Sequence, residues 1–91
     1  MPKKIIYSQN AIATTSTVIA ILKARKIELG YTYQEMQEFS TQKSMHHTTI
    51  YRYLKQENQI DLLAFFELCK ILDLMPYEVL KIASDSVKKK T

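Results

Sequence analysis

His46, His47 and Cys69 are the residue types in this chain that most readily do chemistry. Imidazole and thiolate bind zinc, and both serve in acid–base or nucleophilic catalysis. Their spacing argues against either use. Adjacent residues on a helix point in different directions, so His46 and His47 do not face one ligand. No second Cys or His stands at zinc spacing. Cys69 falls on an apolar stripe, where a thiol behaves as a small hydrophobe. Gly30 is the single glycine, and phosphate-cradling and dinucleotide loops need several. No Ser or Cys nucleophile is matched in spacing by a base and an orienting acid. The expectation is a non-enzyme with no metal and no cofactor.

Charge points toward binding. The chain has 91 residues, 13 basic and 9 acidic, for a formal net charge of +4. Between Asp61 and Leu80, four acids (Asp61, Glu67, Asp73, Glu78) accompany one base (Lys70), a local net of −3 that leaves +7 on the rest. Such unevenness suits one basic face for a polyanion. The length fits one small domain with a modest core. A lone cysteine forms no intrachain disulfide, which fits a reducing compartment. The apolar run Ala11 to Leu22 is broken by Thr14, Thr15, Ser16 and Thr17 and ends in Lys23-Ala24-Arg25-Lys26. No small-residue cleavage site follows, so neither a secretory signal nor a membrane span is expected, and the location reads as cytoplasmic.

Scarce Gly and Pro, with abundant Leu, Ile, Lys, Glu and Gln, predict an all-α chain of about five short helices. Residues 1–14 read as an N-terminal extension: a flexible arm, a short strand at a dimer interface, or the start of a longer first helix. Residues 15–84 form the domain, and 85–91 a basic tail. The first helix starts near Thr15 to Thr17, whose hydroxyls can cap it. Val18, Ile21, Leu22, Arg25 and Leu29 lie on one side of it, and it stops at Gly30. The second follows Thr32, with Glu35 completing a capping box and Met36 and Phe39 inward. Ser40 to Met45 is irregular. The third helix covers about 46–54, with Ile50, Tyr53 and Leu54 inward, before a polar loop at 56–59. Asp61 caps the fourth, whose inner stripe is Leu62, Phe65, Phe66, Cys69 and Leu72. Pro76 opens a short fifth helix. In it Tyr77, Val79, Leu80, Ile82 and Val87 exceed what one side of a short helix can bury, which makes them a candidate dimer surface or ordinary core.

These elements carry a family resemblance over about residues 18 to 80. Leu22-Lys23-Ala24-Arg25-Lys26-Ile27-Glu28-Leu29-Gly30-Tyr31-Thr32-Tyr33-Gln34-Glu35-Met36 resembles the first helix, glycine and second-helix opening of the Cro/repressor (XRE-like) helix-turn-helix family of phages and bacteria. Thr48-Thr49-Ile50-Tyr51-Arg52-Tyr53 resembles the core of its recognition helix. Leu62 through Leu74 is similar to its fourth helix, with Leu72-Asp73-Leu74 where the family ends in Leu-Gly-Val. Pro76-Tyr77-Glu78-Val79-Leu80 is similar to its last helix. Two departures stand out: extra residues within Ser40-Thr41-Gln42-Lys43-Ser44, and Tyr33 where the family has a phosphate-contacting Gln.

The resemblance implies a lambda-repressor-like bundle that binds double-stranded DNA, with the third helix in the major groove. On that reading His47, Thr48 and Arg52 read bases. Arg52 can donate twice to a guanine edge. Tyr33, Gln34, Lys43, His46, Thr49, Tyr51 and Lys55 support the contact or meet phosphates, with the amides opening the second helix. Lys3 and Lys4 read more readily as solvated charges than as a DNA-reaching arm. One helix reads few base pairs, so a homodimeric repressor on a two-fold operator is the leading expectation. The alternatives are a protein-binding helix-turn-helix module (antirepressor, antitoxin or adaptor) and an architectural DNA binder.

Overall fold

The computed structural model describes residues 8–41 and 45–88 and is all-helical there, a bundle of five helices. They are α1 (Gln9–Leu29), α2 (Tyr33–Phe39), α3 (His47–Leu54), α4 (Leu62–Ile71) and α5 (Pro76–Lys88). No described helix is long and apolar enough to cross a membrane. Lys3, Lys4, Lys43 and the last three residues of the tail lie outside the described residues.

Helix α1 starts earlier than the hydroxyl cluster suggests. Its N-cap is Ser8, whose Oγ accepts the Ala11 N–H at 3.1 Å. Thr15 to Thr17, expected to cap it, lie inside it. Thr14, Thr15 and Thr17 donate to the carbonyls of Asn10, Ala11 and Ala13, four residues back, at 2.7, 2.9 and 2.9 Å. Bonding back in this way lets a hydroxyl sit in a helix interior without competing for the amides. The extension is therefore shorter than residues 1–14, and of its three readings the longer helix holds for 9–14. Gly30 ends α1 at φ 72°, and a Cβ built there meets nothing within 4 Å. Glycine is needed for the backbone, not for room.

Helix α2 has both arms of its capping box: Glu35 N–H to Thr32 Oγ1 at 3.1 Å and Thr32 N–H to Glu35 Oε1 at 2.9 Å. Asp61 caps α4 by accepting the Ala64 N–H at 2.7 Å. Two further helices end, like α1, in left-handed residues, here without glycine. Gln56 (φ 62°) closes α3 and Asp73 (φ 55°) closes α4. Each turn returns two amides to the last helical turn: Gln56 to Tyr53 and Glu57 to Arg52, Asp73 to Lys70 and Leu74 to Cys69.

The core gathers Val18, Ile19 and Leu22 from α1, Met36 from α2, Ile50 and Leu54 from α3, and Ala64, Phe65, Leu68, Cys69, Ile71 and Leu72 at α4. Met45 from the α2–α3 connection and Val79 and Ala83 of α5 complete it. Long α1 packs chiefly along α5 and also supports α3, while α2 packs on α3. Arg25 joins this frame through its polar head, as Nε donates to the Leu72 carbonyl at 2.9 Å and the guanidinium pairs with Glu28.

Three inward assignments fail. Phe39 is exposed and tilts against Tyr31 with ring centroids 5.0 Å apart, because α2 ends there and offers it no helix to bury against. Leu62 and Phe66 are exposed, because the buried side of α4 is centred on Phe65, Leu68 and Leu72. Leu62 opens the helix and only rims a shallow hollow shared with Thr14, Phe65 and Leu80. Val79, a candidate dimer residue, is core, whereas Tyr77, Leu80 and Ile82 stay exposed. Helix α5 also runs to Lys88, so much of the predicted tail is helical.

Candidate nucleic-acid interface

Helix α3 presents two different sides. Ile50 and Leu54 are fully buried and Tyr53 is half-buried against the core. Arg52 and Lys55 are exposed, and Tyr51 retains 39% of its surface. His47 and Thr48 are half-buried in the first turn. Thr49 departs from the expected set, since it lines a hollow with Met45, Tyr53, Leu63 and Ala64, on the side toward α4. Three residues before Arg52, it stands about 60° away around the helix axis, at the flank of the exposed face.

The start of α3 is fixed by side chains from both sides of the connection. His46 is its N-cap, and its Nδ1 accepts the Thr48 N–H at 3.2 Å. An imidazole nitrogen accepts only when it carries no proton, so the cap requires the tautomer protonated at Nε2. Gln37 of α2 reaches across to accept the His47 N–H with Oε1 at 2.8 Å. The His46 and His47 rings lie 4.3 Å apart, 32° from parallel. Among the described residues no three His, Cys, Asp or Glu converge on a metal position.

The connection between the motif helices is anchored at both described ends. Buried Ser40 donates its hydroxyl to the Gln37 carbonyl at 2.8 Å and accepts the Met45 N–H at 3.4 Å. The Thr41 N–H donates to the Glu67 carboxylate of α4. Both ends of the longer connection are thus tied to the bundle.

Aromatic and cationic groups join α1, α2 and α3. Tyr33 opens α2, and its ring meets that of Tyr51 edge-on, with centroids 5.3 Å apart and planes at 79°. Lys26 Nζ sits 4.2 Å from the Tyr33 centroid, and Lys55 Nζ 5.6 Å from that of Tyr51. Burial, and secondarily the Tyr51 phenol, push the Tyr33 hydroxyl above its ordinary pKa, so it stays a hydrogen-bond donor. Gln34 beside it is exposed. The amides opening α2 offer less to an anion than expected. The capping box occupies two of them, and Glu35 brings its own carboxylate to that helix end.

Arg52 and Arg25 contrast sharply. Arg25 is bonded to Leu72 and Glu28, whereas among the described residues no carboxylate pairs with Arg52. Sequence reasoning missed Lys26 and Gln37. Both act across helix boundaries, where spacing along the chain carries no signal. Burial raises the Cys69 thiol to about 11, which suits its place in the core.

No known protein family, curated protein or solved structure matches this chain.

Proposed function

We propose that this protein is a sequence-specific double-stranded DNA-binding regulator, acting as a dimeric repressor with α3 in the major groove. The observation that carries the reading is the construction of α3. It is a short helix with a fully buried apolar side, a start pinned by His46 and Gln37, and an outer side bearing exposed Arg52, which no carboxylate pairs among the described residues. A cation on an exposed helix face, with no carboxylate paired to it among the described residues, is suited to a guanine edge or a phosphate. The left-handed Asp73 stands at the place where the resembled family has glycine, which further supports the kinship. Thr48 and His47, in the first turn, are the other base-reading candidates, with Tyr33, Gln34, Tyr51 and Lys55 as supports. The protein is proposed to act in the cytoplasm.

Selection of binding sites from random duplex, followed by competition at near-physiological salt, tests this. The expected result is a preference of roughly a thousandfold for selected sites, with Arg52→Ala losing about 1–3 kcal/mol on them. Equal binding of every duplex by wild type and variant overturns sequence reading. The second reading, a protein-binding module, rests on one observation: Leu62, Leu63 and Phe66 leave an apolar face on α4, with Leu63 80% exposed. That reading expects little or no specific DNA binding.

A further inference from the structure

A large tyrosine on the outer side of a recognition helix would obstruct a close approach to a groove unless something held it aside. Tyr51 is held aside. Its ring leans on Tyr33 of α2, and the two rings carry an ammonium at each end, Lys26 from α1 and Lys55 from the end of α3. The four residues form one continuous ridge across three helices. Every member keeps access to solvent: Lys55 and Tyr51 are exposed, and Lys26 and Tyr33 are half-buried.

The chemistry of the ridge is specific. Two cations at its ends suit two phosphates, whose charge they would neutralise. Two aromatic rings between them offer apolar surface to deoxyribose and hydroxyl donors to phosphate oxygens. The ammonium–ring contacts fix the lysines only modestly. Such contacts hold a side chain in place yet let it turn to a phosphate.

We propose that Lys26, Tyr33, Tyr51 and Lys55 form a ridge that grips the sugar–phosphate backbone of one DNA strand beside the groove entered by α3. This rests on the DNA-binding reading above and adds to it a residue from α1, Lys26, and a shared role for the tyrosine pair. The ridge supplies affinity and register, and Arg52 with its neighbours supplies sequence preference. Loss of a ridge lysine therefore weakens all duplexes alike, whereas loss of Arg52 weakens the selected site most.

The test is the salt dependence of duplex binding, measured for wild type, Lys26→Ala, Lys55→Ala, the double variant and Lys81→Ala. Lys81 is exposed on α5 and serves as the charge control. Each ridge lysine should account for about 0.9 of the slope of log K against log salt, the value for one phosphate. The double variant should lose about twice that, equally on selected and random duplex, with Lys81→Ala unchanged. Tyr33→Phe with Tyr51→Phe keeps the rings and should weaken binding less than the lysine pair. Circular dichroism melting checks that each variant is folded. If wild type binds DNA but the double variant keeps its slope, or Lys81→Ala loses as much, the ridge is not the grip and the DNA reading survives. If wild type shows no salt-dependent binding to any duplex, the DNA reading fails and the ridge proposal with it.

Discussion

Helices α3 and α4 are neighbours in the chain and opposites in surface. α3 buries Ile50 and Leu54 completely and turns Arg52 and Lys55 to solvent. α4 buries a broader set, Ala64, Phe65, Leu68, Cys69 and Ile71, and still leaves Leu62, Leu63 and Phe66 exposed. The first pattern is sufficient for a surface helix. The second carries more apolar surface than its own bundle covers. The acids divide the same way, with Asp61 and Glu67 on α4 or its cap and none on α3. One helix thus offers a polar, cationic face and the other a mainly apolar one, on which exposed Lys70 offsets Glu67. The first surface is the better matched to a polyanion and the second to an apolar protein surface.

Core truncation should reveal that contrast most strongly. Leu68→Ala and Ile50→Ala each remove a fully buried side chain, and each should cost about 2–5 kcal/mol in urea unfolding followed by circular dichroism. Leu63→Ala, on the exposed side of α4, should change stability by no more than about 0.5 kcal/mol. A large loss for Leu63→Ala would break the comparison, because the outer face of α4 would then be covered in solution. A midpoint that rises with protein concentration would identify a second copy as the cover.

A smaller effect should appear at the start of α3. His46→Ala removes the side chain that accepts the Thr48 N–H, and should cost about 1 kcal/mol of thermal stability. His46→Asp should restore or exceed wild type, since a carboxylate both caps the amide and favours the positive helix end. In DNA binding the two variants should diverge, as Asp at that place repels phosphate. If His46→Ala melts like wild type, the Gln37–His47 bond alone secures the helix.

Local signals in the sequence account for much of this architecture, and contacts between distant segments account for what it hid. Thr32 with Glu35, Asp61, Pro76 and Gly30 mark helix ends through bonds or geometry within a few residues, so they could be read directly. The start of α1 could not. Thr15 to Thr17 can cap a helix or bond back within one, and only the presence of Ser8 upstream decides between them. Phe39, Leu62 and Phe66 look like core residues from composition, yet burial depends on which helix lies opposite. In the candidate interface, the polar side of α3 was legible from its residue types. The turning of Thr49 toward α4, the bond from Gln37 to His47 and the pairing of Lys26 with Tyr33 were not, because each depends on how separate helices meet.

The ends of α1, α3 and α4 give the finest comparison, since all three close through a left-handed residue but only the first uses glycine. A side chain in that conformation costs roughly 1–2 kcal/mol, less for Asp or Asn than for other residues. Glycine removes the strain but loses more entropy on folding. Gln56→Gly should therefore stabilise by about 0.5–1 kcal/mol, after the loss of its bond from Ser16 at 3.2 Å, and Asp73→Gly by less. Gly30→Ala, where space is open, should cost about 1 kcal/mol through the backbone alone. Differential scanning calorimetry on the three variants orders them. If Gln56→Gly is destabilising, the Ser16 bond between the α1 flank and the α3–α4 loop contributes more than the strain. The loop following α3 would then be held by α1, and the position of α3 would depend on both of its ends.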